Sequence, residues 1–316
     1  MSQQLGLGTA AIGRPQYINI REQEQQPFQM NTFKEKGRSV LEAAYQQGIR
    51  YFDTAPGYGL AEKLLLEWLL EKQDASIEVA SKWGYTYTAN FEKNASVHEL
   101  KEHSLAKLNE QWEFTRKLLP FLTTYQIHSA TFDTGVLENK AVLERLAELK
   151  EQFELHIGLT TSGANQTDVI QKAMTIELND KPLFTAYQVT CNIFEQSLFE
   201  IYRDLTSLGV RVIIKEAMAN GRVFPNTHYP DYKTTYEILN EIAEKYGVGV
   251  DAVALRFCMD SLKPFKVLSG VSETTHLIDN HKSCTFALTE DELASLKQLK
   301  VSSQYYWAER KLLPWR

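Results

Sequence analysis

Tyr51-Phe52-Asp53-Thr54-Ala55-Pro56-Gly57-Tyr58-Gly59 reads as a short strand that stops on a carboxylate and turns, within five residues, onto a tyrosine. Gly48 ends what precedes it, and Pro56 and Gly57 supply the turn. From Ala61 the apolar spacing becomes helical. Asp53 therefore stands at the C-terminal end of a strand and Tyr58 in a strand-to-helix loop, where α/β barrels carry their chemistry. Taken alone, the stretch supports two readings. Asp53 caps the turn and Tyr58 is an ordinary packed aromatic, or a buried carboxylate helps set up a phenol as a proton donor.

Working outward, the same unit recurs. Toward the N-terminus, Gly6-x-Gly8-x-x-Ala11 has the letters of a dinucleotide fingerprint. That fingerprint needs a strand before it and a helix after it. Only five residues precede Gly6, and Gly13, Pro15 and Asn19 follow in a loop-like composition, so residues 4–8 are predicted as a first barrel strand. Residues 12–30 form a long polar loop. Asn31-Thr32 offers an N-cap to a helix carrying Phe33, Val40, Leu41, Ala44 and Tyr45.

Toward the C-terminus the reading gives helix 61–73, then strand 76–83 with Lys82 at its end and Trp83, Tyr85 and Tyr87 close behind. Helix 96–109 is predicted from Val97, Leu100, Leu105 and Leu108, and strand 122–128 ends at His128. Helix 134–150, strand 154–159, helix 165–176, strand 184–190, helix 196–207 and strand 210–215 follow. Helices 232–246 and 249–261 precede strand 266–270. Strands alternating with helices predict a parallel sheet, and eight strands predict a closed (β/α)8 TIM barrel, an α/β fold. No Pro/Gly/Ser-rich linker divides residues 1–316, so one domain is expected. The tail 305–316, aromatic and basic, is expected to fold over the barrel mouth or to mediate association.

Composition narrows the function. The net charge of −6 argues against a nucleic-acid surface. Cys191, Cys258 and Cys284 are odd in number and lack metal-ligand spacing, which predicts a reducing compartment and no metal centre. The N-terminus lacks the pattern of a secretory signal, and the apolar run 64–70 is interrupted by Glu67 and too short to span a bilayer. A cytoplasmic protein without a membrane partner is expected.

Asp53, Tyr58, Lys82 and His128 occur in this order within GIRYFDTAPGYGLAE, ASKWG and YQIHSA. Together they resemble the catalytic tetrad of the aldo-keto reductases, and the resemblance covers nearly the whole chain. It implies hydride transfer between a nicotinamide cofactor and a small carbonyl, hydroxyl or sugar-like substrate, with Tyr58 as general acid and base. Charge developing on the substrate oxygen needs a proton and hydrogen-bond donors. The resemblance gives Lys82 the part of favouring the phenolate, Asp53 that of holding Lys82, and His128 that of bonding the carbonyl.

The resemblance also implies a cofactor site. Gln188 stands where the family holds the nicotinamide amide, Thr160 and Thr161 replace a Ser-Asn pair, and Lys215 replaces a stacking tyrosine. The 217–222 loop resembles the segment that wraps the pyrophosphate. Ser272, His276 and Asn280 lie on the adenosine segment, where Gly270 and His276 stand in for the cations of the 2′-phosphate. NADP is therefore expected, with NAD usable and discrimination weak. The family's N-terminal hairpin is absent or very short. The change at Lys215 leaves two other readings open: a non-catalytic, cofactor-binding regulatory protein, and a Schiff-base lysine.

Overall fold

The computed structural model describes residues 4–16, 19, 28–92, 95–227 and 229–315. Eight parallel strands close into a barrel in chain order. They are β1 (Leu5–Gly8), β2 (Tyr51–Asp53), β3 (Glu78–Trp83), β4 (Leu122–Ala130), β5 (His156–Thr161), β6 (Ala186–Thr190), β7 (Arg211–Lys215) and β8 (Lys266–Ser269). The helices outside are α1 (Met30–Gln46), α2 (Ala61–Lys72), α3 (Leu105–Thr115), α4 (Lys140–Phe153), α5 (Gln166–Met174) and α6 (Leu198–Ser207). They continue with α7 (Lys233–Tyr246), α8 (Val250–Leu262), α9 (Thr274–His281), α10 (Glu290–Lys297) and α11 (Ser303–Lys311). No described helix is long and apolar enough to cross a membrane.

The period-2 alternation of the strands sorts the barrel into layers. Outward-facing Phe52 and Val79 join the main core with Trp68 and the other helix residues. Inside, Tyr51, Ala80, Ala186, Ile213 and Leu268 form a separate buried cluster. Two residues further along the same inner faces come Asp53, Lys82, Gln188, Lys215 and Gly270. The apolar layer is thus the floor under a layer of functional side chains at the C-terminal ends of the strands.

Several boundaries depart from the sequence reading. Residues 96–104 are not helical: Glu99–Lys101 pairs antiparallel with Tyr85–Tyr87, and α3 begins only after Ser104, whose hydroxyl accepts from the Lys107 amide at 3.1 Å. Val97 and Leu100 are exposed at 49% and 57%, so their helix-like spacing had no core to face. Helix α1 starts at Met30 without a side-chain cap, ahead of Asn31-Thr32. Residues 132–138 form 3₁₀ turns, and α4 starts after Asn139, which caps it. Strand β4 runs past His128 to Ala130, and β5 takes in Thr160 and Thr161. The tail forms α11 with Tyr306 and Trp307 buried, and its Arg310 pairs with Glu216 just beyond β7, so it folds over the mouth.

Candidate active site

Asp53 ends β2 with both carboxylate oxygens engaged. Oδ2 meets Lys82 Nζ at 2.5 Å, and Oδ1 accepts from Gln188 Nε2 at 2.6 Å. Lys82 Nζ also donates to the Thr54 carbonyl at 3.1 Å, and its side chain is fully buried. This geometry follows from the layer rule: three inner-face positions on three strands place a cation, an anion and an amide within contact.

The turn after β2 delivers Tyr58. Its amide closes a 3₁₀ turn onto the Ala55 carbonyl at 3.0 Å, and the Leu60 amide donates to the Gly13 carbonyl at 2.8 Å. A Cβ on Gly13 would lie 2.1 Å from the Tyr58 carbonyl oxygen, so glycine there lets the two loops close around the phenol. Lys82 Nζ lies 4.8 Å from the Tyr58 ring centroid. His128 meets the same ring edge-on, with centroids 5.4 Å apart and planes at 89°. A register shift between Ile127 and Ala130, with Ser129 at φ +53°, bulges β4 here and re-aims His128. His103 Nε2 donates to the His128 carbonyl at 2.9 Å, and the Tyr85 ring packs 4.6 Å from the imidazole.

Burial dominates the electrostatics of the site. The Tyr58 phenol is pushed well above its ordinary value, first by burial and then by the Asp53 carboxylate, with Arg14 opposing. Lys82, which the resemblance expects to favour the phenolate, is paired with Asp53 at contact distance. His128 is held well below the ordinary histidine range by burial first, then by Lys82, Arg14 and Lys215. The imidazole is therefore neutral near pH 7. Its Nδ1 is buried without a hydrogen-bond partner among the described residues. A protonated phenol and a neutral imidazole side by side can each donate a hydrogen bond to one substrate oxygen.

A model of the aldo/keto reductase family matches residues 4–301. The chain belongs to the aldo/keto reductase family. It is 21% identical to the aldo-keto reductase str7 of Strobilurus tenacellus, covering 94% of this chain and 88% of that one. It is 39% identical over 83 residues to a D-threo-aldose 1-dehydrogenase of a Pseudomonas species, a match spanning a quarter of each chain. Among solved structures, the fold is shared with a holo aldo-keto reductase of Bacillus halodurans at a TM-score of 0.70 and 20% identity, covering 95% of this chain and 92% of that one. An aldo/keto reductase of Klebsiella pneumoniae in complex with NADP and acetate superposes with a TM-score of 0.67 and 17% identity, covering 94% and 90%.

In this aldo/keto reductase the residues that the resemblance expects at the cofactor are spread around the mouth. Thr160 Oγ1 accepts from the Ser129 amide at 2.7 Å. Thr161 Oγ1 is buried without a hydrogen-bond partner among the described residues. A Cβ on Gly270 would meet nothing within 4 Å, so the end of β8 opens onto free space. Ser272 is half-buried ahead of α9, and His276 is exposed on that helix. Asn280 is enclosed, and its side-chain amide meets Ser269 Oγ at 2.8 Å. Two other cations are engaged elsewhere: Arg222 is buried against Glu309 at 3.0 Å, and Lys282, at the end of α9, pairs with Asp279 at 2.7 Å. Among the described residues, no group of three His, Cys, Asp or Glu side chains is arranged to hold a metal.

Lys215 takes part in a charged network that periodicity did not foretell. Its Nζ donates to Thr190 Oγ1 at 2.7 Å and lies 4.0 Å from Glu216. Burial pushes its ammonium down to about 8. Glu216 is gripped by Arg310 Nε at 3.0 Å to each oxygen. Burial pushes that carboxyl up, but Arg310 and then Lys215 outweigh it and hold it at about 2. Sequence reading also missed Arg14, at the start of the loop after β1, and Trp315, which stacks on His98 at 4.6 Å. The one available signal for Arg14 was its place in a strand-end loop of a barrel; no spacing marked it.

Proposed function

We propose that this chain is an NAD(P)-dependent oxidoreductase of small carbonyl compounds and their alcohols, sugar-like ones included, with Tyr58 as the general acid and base. The convergence of the Tyr58 ring on the His128 imidazole above the buried Lys82–Asp53 pair carries the reading. The partnerless Thr161 hydroxyl and the open space beside Gly270 fit a bound nicotinamide dinucleotide. Thr160, Thr161, Gln188 and Lys215 would hold its nicotinamide end, and Ser272, His276 and Asn280 its adenosine end. When bound, the cofactor supplies or accepts hydride.

The chain's own residues manage the proton and the oxygen. In reduction, Tyr58 passes its phenolic proton to the carbonyl oxygen while neutral His128 donates a hydrogen bond to it. The Lys82–Asp53 pair fixes the floor under the ring. In oxidation, Tyr58 accepts the alcohol proton. The phenol is protonated near pH 7, the state from which Tyr58 gives a proton in reduction. The partial match to an aldose dehydrogenase supports a sugar-like substrate. The assembled tetrad weighs against a purely regulatory role. The family's habit supports NADP, with NAD accepted.

Tyr58→Phe tests the reading. The melting curve and NADPH binding by fluorescence are expected to stay as in wild type. Turnover of a carbonyl substrate is expected to fall roughly 10²–10⁴-fold, the scale of general acid–base catalysis. Turnover near wild type would remove Tyr58 from the mechanism.

A further inference from the structure

The mechanism leaves a second histidine beside the site without a task. His103 follows the Glu99–Lys101 strand, in the stretch that turned out not to be helical, and it is 8% exposed. Its ring meets Trp83 at the end of β3, with centroids 5.5 Å apart and planes at 67°. On another side it packs so closely on Gly84 that a Cβ there would lie 2.3 Å from its Cδ2. The imidazole is therefore boxed into one orientation. Burial first, then Lys101, pushes it down to about 4, with the His128 carbonyl opposing. A neutral imidazole has one N–H. Here it is on Nε2 and is spent on the His128 carbonyl at 2.9 Å, so the ring has no proton to relay.

What His103 holds is the irregular part of β4. The ladder with β3 ends at the Trp83–Ile127 pair, and the ladder with β5 shifts register between Ile127 and Ala130. His128 and Ser129 lie in that break. Ser129 takes φ +53°, a conformation that a residue with a side chain keeps only when its surroundings fix it. Ties from two sides do so. From the β5 side, Thr160 Oγ1 accepts from the Ser129 amide at 2.7 Å, and Ser162 Oγ donates to Ser129 Oγ at 2.9 Å. From the other side come the His103 bond and Lys101 Nζ, which donates to Thr131 Oγ1 at 2.8 Å just past the bulge. The carbonyl that His103 holds and the imidazole share one Cα. A rotation of this peptide would swing the His128 ring away from Tyr58, which it meets edge-on.

We propose that His103 is a positioning residue: by holding the His128 carbonyl, it fixes the bulge that aims the His128 imidazole at the substrate oxygen. The inference rests on His128 bonding that oxygen in the proposed reaction. A hydrogen bond to the developing charge needs close geometry, and a misplacement of about 1 Å costs up to roughly 10²-fold in rate.

His103→Leu removes the donor, and His103→Gln returns an amide N–H near the place of Nε2. Each is made in wild type and in His128→Leu, and reduction of 4-nitrobenzaldehyde with NADPH is followed. His103→Leu is expected to lower kcat roughly 10–100-fold, with NADPH affinity by fluorescence unchanged. His103→Gln is expected to restore kcat to within a few-fold of wild type. In the His128→Leu background, His103→Leu is expected to add no further loss. A merely structural histidine would lower turnover alike in both backgrounds, or lower only the melting temperature, and either result overturns the proposal. Should His103→Leu not fold, His103→Asn, whose amide stops short of the carbonyl, takes its place. The imidazole resonances of His128, assigned by their loss in His128→Leu, read its placement without turnover. They are expected to shift in His103→Leu and to return in His103→Gln. Turnover that survives His128→Leu overturns the catalytic reading of His128, whereas turnover lost in His128→Leu with unmoved His128 resonances in His103→Leu overturns only the role of His103.

Discussion

Lys82→Met tests whether the floor of the site is the buried ion pair described here. The substitution keeps the length of the side chain and removes its charge. Asp53, 2% exposed, then keeps a full negative charge with the Gln188 amide as its remaining side-chain partner. Breaking a buried pair by removing one member costs about 3–5 kcal/mol. Coulomb's law gives a consistent scale, about 4 kcal/mol for unit charges ~4 Å apart at an effective dielectric of ~20. Against a total of roughly 5–15 kcal/mol for a folded domain, such a loss is large. Adding Asp53→Asn removes the stranded charge, and the new amide oxygen can still accept from Gln188. The double variant is therefore expected to recover roughly half or more of the loss. Urea unfolding followed in parallel by tryptophan fluorescence and circular dichroism measures both, provided the two probes coincide and the slope is unchanged. A loss below about 1 kcal/mol in Lys82→Met is the behaviour of a solvated surface pair, and it would refute the reasoning. So would a double variant less stable than the single one.

Glu216 is held at about 2 in the folded chain, below an unfolded value near 4.3. Its stabilisation is therefore complete above about pH 4.5 and lost as pH falls toward 2, roughly 2–3 kcal/mol in all. Melting temperatures of wild type and Glu216→Gln should differ at pH 6 and converge toward pH 2–3; a gap independent of pH would contradict the network. For the cofactor, Arg222 is buried on Glu309, so the exposed His276 is the cation proposed for a 2′-phosphate. His276→Ala is therefore expected to narrow the advantage of NADP over NAD in fluorescence titrations, a modest advantage that rests on one contact. A strong preference that survives the substitution would assign the phosphate to another group.

Much of the barrel was legible because strand and helix periods differ and the chain repeats them. Boundaries failed where apolar letters had no core to face, as at Val97 and Leu100, or where a cap lay elsewhere, as at Met30 and Asn139. Asp53 and Lys82 could be placed at strand ends from the alternation alone, and Gln188 within its strand through the resemblance. The bulge at His128 could not, since a register shift depends on how β4 meets β5. Of the polar loop expected over residues 12–30, residues 17, 18 and 20–27 lie outside the described residues.

By itself, the sequence determined the alternation of elements and the closed barrel, because the backbone period is a local property. It also put Asp53, Lys82 and His128 toward strand ends and Tyr58 in the loop after one. Only the tertiary structure decided which charges neutralise one another. Asp53 and Gln188 are separated by 135 positions in the chain and Glu216 and Arg310 by 94, yet each pair is in contact. Arg14 came to lie over Tyr58 because Gly13 lets two loops close and Trp315 returns from the far end of the chain. The field at a side chain depends on distance and on screening by water, and neither has a value until the chain has folded.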